Sequence, residues 1–270
     1  MKRFFNYLMV LFKKISDDEM LLRASGVSFY ILLAFFPFVL IVFLLSTLIS
    51  ENVSMAIFKI LNLLPEDIES IVAELLTNTQ ASGFLIVALV CISIWTLASA
   101  LVTISQSFNV FYGVKETRNF LLNRLSAIVW AVLMLLLIII VMVLIVFENH
   151  VTALIQYYFK VDLNGPIFEI AGLLLLFLLV TFMLALIYKY VPNKKMSFRS
   201  VLKGSVTATV LWGLSSYGFS LYVNNFATYH VLYGSIAGII ILVTWIFITS
   251  SVLLLGGEIN SINANKNEII

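Results

Sequence analysis

Fourteen of the sixteen Lys and Arg residues lie in alternate gaps between six long apolar stretches, and only Lys59 and Lys160 lie in the other gaps. If each stretch crosses a bilayer, those fourteen charges face one side, the distribution that keeps Lys and Arg in cytoplasmic loops. The stretches run over 26–49, 83–111, 125–147, 169–190, 204–223 and 236–257, each near or above the roughly 20 residues a helical crossing needs. Removing one crossing would send the cluster Lys189, Lys194, Lys195, Arg199 and Lys203 across the membrane. An even count with both termini cytoplasmic is therefore expected, in an all-α polytopic membrane protein whose residues 1–270 form one domain. A composition of 62% hydrophobic and 11% charged residues agrees, because it leaves too little polar surface to cover a water-soluble globule.

The first sixteen residues read differently. On a helical wheel Phe4, Leu8, Leu11, Phe12 and Ile15 share one face, and Lys2, Arg3, Lys13 and Lys14 share the other. That pattern predicts an interfacial helix over 1–16, resting on anionic lipid. The charges from Lys13 to Glu19 interrupt the apolar run before any small-residue cleavage site, so no cleaved signal is expected. Ser16 followed by Glu19 has capping-box spacing and predicts the start of the next helix. Between the first two stretches, residues 50–82 carry two apolar series at helical spacing, with Pro65 placed for a first turn. They predict a short external helical pair, either a cover over the span ends or a gate.

Within the stretches the informative residues are polar and uncharged. Thr96, Ser99, Thr103, Gln106 and Asn109 fall on one stripe of the second stretch and form a candidate polar pathway, because hydroxyls and amides in hydrocarbon need partners. Gly204, Ser215 and Gly218 in the fifth stretch, with Gly234, Gly238 and Gly256 before and within the sixth, form a candidate close-packing seam. A tight bundle and a polar cavity both fit these stripes. Pro37 removes one hydrogen bond from the first stretch and predicts a kink or a break there. Glu258 is placed at the end of the last stretch as an interfacial acid. Lys115, Arg118, Arg124, Lys194, Lys195 and Arg199 are candidate contacts for anionic headgroups.

Several runs resemble a known family. Arg23-Ala24-Ser25-Gly26-Val27-Ser28-Phe29-Tyr30 with Phe36-Pro37, Phe111-Tyr112-Gly113-Val114 and Tyr190-Val191-Pro192-Asn193 are similar to hallmarks of BrkB-type (YihY) bacterial membrane proteins. Phe219-Ser220-Leu221-Tyr222, Tyr229, Tyr233-Gly234-Ser235, Trp245 and Gly256-Gly257-Glu258-Ile259-Asn260 follow at the family's spacing, with Gly257 where many relatives carry Ala. The resemblance implies a six-helix inner-membrane protein, linked to envelope integrity, serum resistance and export of lipid or other envelope components. It also brings an old ribonuclease BN label.

The residues argue against nuclease chemistry, since His150 and His230 sit in separate external loops and the acidic groups are scattered. The single Cys91 provides neither a disulfide nor a thiolate site within one chain. No enzyme activity, metal, cofactor or nucleic-acid partner is expected. Membrane lipids are the expected partners, and the seams would serve a homo-oligomer as well as a monomer. A transporter of a lipid or other envelope component comes first among function classes. A structural or regulatory membrane protein without transport is the alternative.

Overall fold

The computed structural model describes residues 2–49, 83–146, 166–225 and 236–266. The expected external pair in 50–82 and the seam position Gly234 lie outside them. Every regular element among the described residues is an α-helix: α1 (Lys2–Asp17), α2 (Met20–Ile49), α3 (Gly83–Phe111), α4 (Phe120–Val146), α5 (Pro166–Tyr190), α6 (Phe198–Asn225) and α7 (Ile236–Lys266). Chains rich in Leu, Ile, Val and Phe find no hydrogen-bond partner in their surroundings, and a helix satisfies the backbone internally. Met20–Phe38, Val87–Phe111, Gly172–Tyr190 and Ala237–Ala264 are long and apolar enough to cross a membrane, and Phe120–Leu136 of α4 is apolar over a shorter length. Helix α6 has 28 residues but carries Arg199, Lys203 and many hydroxyls, which lower its hydropathy.

Local chemistry sets the helix ends. Gly113, at φ 64°, stops α3, and the bonds from Gly113 N to Val110 O and from Val114 N to Asn109 O form a Schellman motif. That geometry explains the Tyr112-Gly113-Val114 run, since glycine adopts a positive φ at little cost. Pro166 opens α5 at a position where a missing N–H costs nothing. Ser197 caps α6 by accepting from Ser200 N at 3.2 Å.

One sequence expectation is corrected here. Ser16 does not cap α2: it lies inside α1, Glu19 takes a positive φ of 51°, and α2 begins at Met20. The reason is local competition. Asp18 is drawn back one turn to Lys14 at 3.1 Å, and Arg23 Nε donates to the Asp18 carbonyl at 2.9 Å, so these groups finish α1 rather than start α2. Helix α2 runs from Met20 to Ile49 through Pro37 without a break. One missing bond in a 30-residue helix is outweighed by the packing of α2 against α3 and α7.

Helix α3 packs on α2 and α4, and α6 packs on α5 and α7. Helix α7 joins the two triplets by packing on both α2 and α3, and α1 lies against α7 and the start of α2. Much of the outer surface is apolar, including Phe84, Val87, Leu121, Leu173, Leu174 and Leu214. A patch of that extent calls for a covering of lipid or protein.

Candidate functional site at the basic end of the bundle

The buried polar groups gather where α1 meets the ends of α3, α5 and α7 and the start of α6. The run Gly256-Gly257-Glu258-Ile259-Asn260 is the centre of that meeting. A Cβ on Gly256 would overlap the Tyr188 hydroxyl and come within 2.8 Å of the Ala208 Cβ, and one on Gly257 would overlap the Phe108 ring. A Cβ on Gly204 would run into the Gly256 carbonyl. Glycine at these three places lets α6 and α7 approach to backbone contact and seats the Phe108 ring of α3 and the Tyr188 ring of α5 against α7. Gly204 N then donates to Asn260 Oδ1 at 2.8 Å, and the Tyr188 hydroxyl donates to Leu253 O at 2.8 Å.

Glu258, the candidate interfacial acid, is completely buried within the protein, in a helix that continues to Lys266. Its partner comes from α1. Lys14 Nζ donates to Glu258 Oε2 at 3.1 Å, Ser261 Oγ at 2.9 Å, the Phe111 carbonyl at 2.7 Å and Asp18 Oδ2 at 3.1 Å. The ammonium so placed offsets a charge that hydrocarbon would otherwise exclude. Tyr112 closes the cluster, its phenol pushed above its ordinary value by burial and then by the Glu258 charge.

A second network ties the turn after α3 to the turn after α5. Asn109 donates to Glu116 Oε2 at 2.9 Å and accepts from Asn193 N at 2.7 Å. Asn193 Nδ2 reaches Lys115 O and Thr117 Oγ1. Arg118 grips Glu116 with Nε and Nη2, both at 2.8 Å, and Nη2 also reaches Ser105 Oγ and Val191 O. The Arg118 side-chain hydrogen bond is the main cause that holds the Glu116 carboxyl at about 2, well below its usual range.

The candidate pathway divides. Thr96, Ser99 and Thr103 return their hydroxyls to carbonyls of their own helix, at Ile92, Trp95 and Ser99. Gln106 is exposed, and Asn109 is buried in the second network. Arg124 stands apart from the basic end: its guanidinium lies 3.9 Å over the Trp95 ring, and its Nη2 donates to Ser99 Oγ at 2.9 Å and Trp95 O at 3.2 Å. Among the seam residues Gly204 and Gly256 meet, Ser215 and Gly238 are half-buried, and Gly218 faces open space. Of the remaining cations Lys115, Lys195 and Arg199 are exposed, and Lys194 lies 5.6 Å over the Tyr112 ring.

Lys14 as the partner of Glu258, Glu116 as the partner of Arg118, and the buried Thr181 to Thr209 hydrogen bond at 3.0 Å escape sequence inspection. Asn109, Glu258 and Arg118 stand out in the sequence as members of these networks, but their partners do not. Among the described residues no three His, Cys, Asp or Glu side chains converge on one point.

Residues 11–269 match the family described as virulence factor BrkB. The chain belongs to the BrkB family. It is similar to the putative ribonuclease-like protein YfkH of Bacillus subtilis, 30% identical over 269 residues that cover 98% of this chain and 97% of the relative. A UPF0761 membrane protein of Vibrio parahaemolyticus is 29% identical, covering 96% of this chain and 81% of the relative. Another, from Aliivibrio salmonicida, is 28% identical over 95% and 82%. No solved structure matches the chain. Family membership, the membrane-protein relatives and the apolar helices together make this BrkB-family chain a membrane protein.

Proposed function

We propose that this BrkB-family chain is a translocator of a lipid or other envelope component, with six helices crossing the bacterial cytoplasmic membrane, both termini in the cytoplasm and no enzymatic activity. Six helices of 25 to 31 residues and the one-sided distribution of Lys and Arg support the crossings. The position of Arg124 carries the transport reading. Trp95 and Ser99, which hold the guanidinium, lie 16 and 12 residues before the end of α3 at Phe111, about 24 and 18 Å along the helix axis. Among the described residues no carboxylate pairs with Arg124, and Trp95, Leu121, Leu125 and Val129 around it are exposed apolar side chains. A cation in such surroundings is stabilised by an anion that arrives with the lipid. A phosphate headgroup supplies that anion, and the exposed apolar surface beside it accepts the acyl chains.

The test is reconstitution into vesicles carrying a phosphatidylglycerol with a fluorescent headgroup, followed by bleaching of the outer leaflet. Protein-containing vesicles should lose the protected inner fraction faster than protein-free ones, and Arg124→Gln should slow the exchange about tenfold. Ser99→Ala, which keeps the helix, should slow it less. Equal rates with and without protein, or full activity of correctly folded Arg124→Gln, would overturn the proposal.

A further inference from the structure

A groove of about 530 Å³ opens between α1 and the helices α6 and α7, lined by Tyr7, Leu202, Lys203, Val206, Thr207, Ile259 and Asn263. From it we infer a fixed binding site for one anionic phospholipid, with the phosphate at Lys203 and an acyl chain along Leu202, Val206 and Ile259. Nothing in the transport reading requires this site, and Arg124 takes no part in it.

Three observations commit the groove to that occupant. Its size falls within the range of about 300–1,000 Å³ typical of small-molecule sites. Its wall α1 turns Phe5 and Phe12, each 69% exposed, away from the bundle, as a helix lying at the boundary between headgroups and acyl chains does. Its charge is of one sign: among the described residues no carboxylate lines it and the exposed Lys203 has no ion pair, and Arg199 is exposed one turn earlier on the same face of α6.

The polar atoms assign the roles. Thr207 Oγ1 already donates to Lys203 O at 2.8 Å, and Asn263 Nδ2 to Ile259 O at 2.8 Å, while Asn263 is also hydrogen-bonded to Tyr7. The Lys203 ammonium is left as the principal donor. It suits a phosphate and disfavours the cationic end of a zwitterionic headgroup.

Native mass spectrometry of the full chain, released from micelles doped with dioleoyl phosphatidylglycerol or dioleoyl phosphatidylcholine, tests the site. One phosphatidylglycerol should be retained in preference to phosphatidylcholine. Lys203→Gln should weaken that retention about fivefold, Lys203→Arg should restore it, and Val206→Trp should block it by filling the groove with the charge intact. Equal retention of the two lipids, or unchanged phosphatidylglycerol retention in both Lys203→Gln and Val206→Trp, would overturn the inference. Soluble glycerol phosphate at millimolar concentration serves as the second probe: retention competed away by it would show that the headgroup alone binds, and would overturn the acyl-chain half of the site. Exchange in the vesicle assay should be unaffected by Lys203→Gln, so the failure of one proposal is distinguishable from failure of the other.

Discussion

Replacing Lys14 by Met keeps the length of the side chain and removes its charge from the centre of the basic end. Lys14 is 23% exposed at its side chain and Glu258 is 0% exposed, so the change leaves a buried carboxylate with the Ser261 hydroxyl as its remaining side-chain donor. Removing one partner of a fully buried pair costs about 3–5 kcal/mol. Partial hydration of Lys14 in the native protein reduces the expected loss to about 2–3 kcal/mol. Glu258→Gln is milder, because the ammonium keeps Asp18, the Phe111 carbonyl and Ser261, and about 1 kcal/mol is expected. The double variant has no charge at position 258 and leaves only the partly exposed Asp18 carboxylate without its ion pair. It should lose about 2 kcal/mol, less than the two single losses together by about 1–2 kcal/mol. Unfolding by sodium dodecyl sulfate in maltoside micelles, followed through the four tryptophans, measures all three. Losses that add to within about 0.5 kcal/mol would refute the coupling between α1 and α7.

Two further outcomes follow from the geometry. Gly256→Ala, whose Cβ would meet Tyr188 and Ala208, should cost about 1–3 kcal/mol in the same unfolding assay, whereas Gly218→Ala, which meets nothing within 4 Å, should be neutral or stabilising. The Glu116 carboxyl sits at about 2 in the folded protein, below its unfolded value of 4.5. The stability it contributes is therefore complete above about pH 4.5 and lost as pH falls toward 2. Amide exchange at Arg118, whose N–H donates to Glu116 Oε1 at 2.9 Å, should accelerate over that window beyond its intrinsic rate, and Glu116→Gln should abolish the extra acceleration.

The helices were legible because length and apolarity decide them. Partnerships were not. Lys14 lies 244 residues before Glu258, and on a helical wheel it is one more cation on the wet face of α1. The glycine pattern marked Gly204, Gly218 and Gly256 alike, although only the first and last meet another backbone. Spacing along one helix cannot show which of its faces another helix will cover. Thr96, Ser99 and Thr103 look unsatisfied in sequence, yet each closes on its own backbone within one turn, so polarity there does not by itself mark a cavity. The helix start expected at Ser16 falls at Met20 because Lys14 holds the Asp18 carboxylate while Arg23 holds the Asp18 carbonyl, and neither bond is visible in local spacing.

The pair α2 and α3 has the most extensive contact in the bundle, yet between residues 20–38 of α2 and the described side chains of α3 no hydrogen bond is found. Ala24 and Val27 of α2 and Ala98, Leu101 and Ile104 of α3 belong to one buried apolar cluster, in which packing is by dispersion. At the basic end the Phe111 carbonyl and Asn109 are held by directional bonds to Lys14 and Asn193, which a slide would break. The end of α3 is therefore fixed in position by α1 and by the turn after α5, whereas its contact with α2 rests on shape rather than on directional bonds.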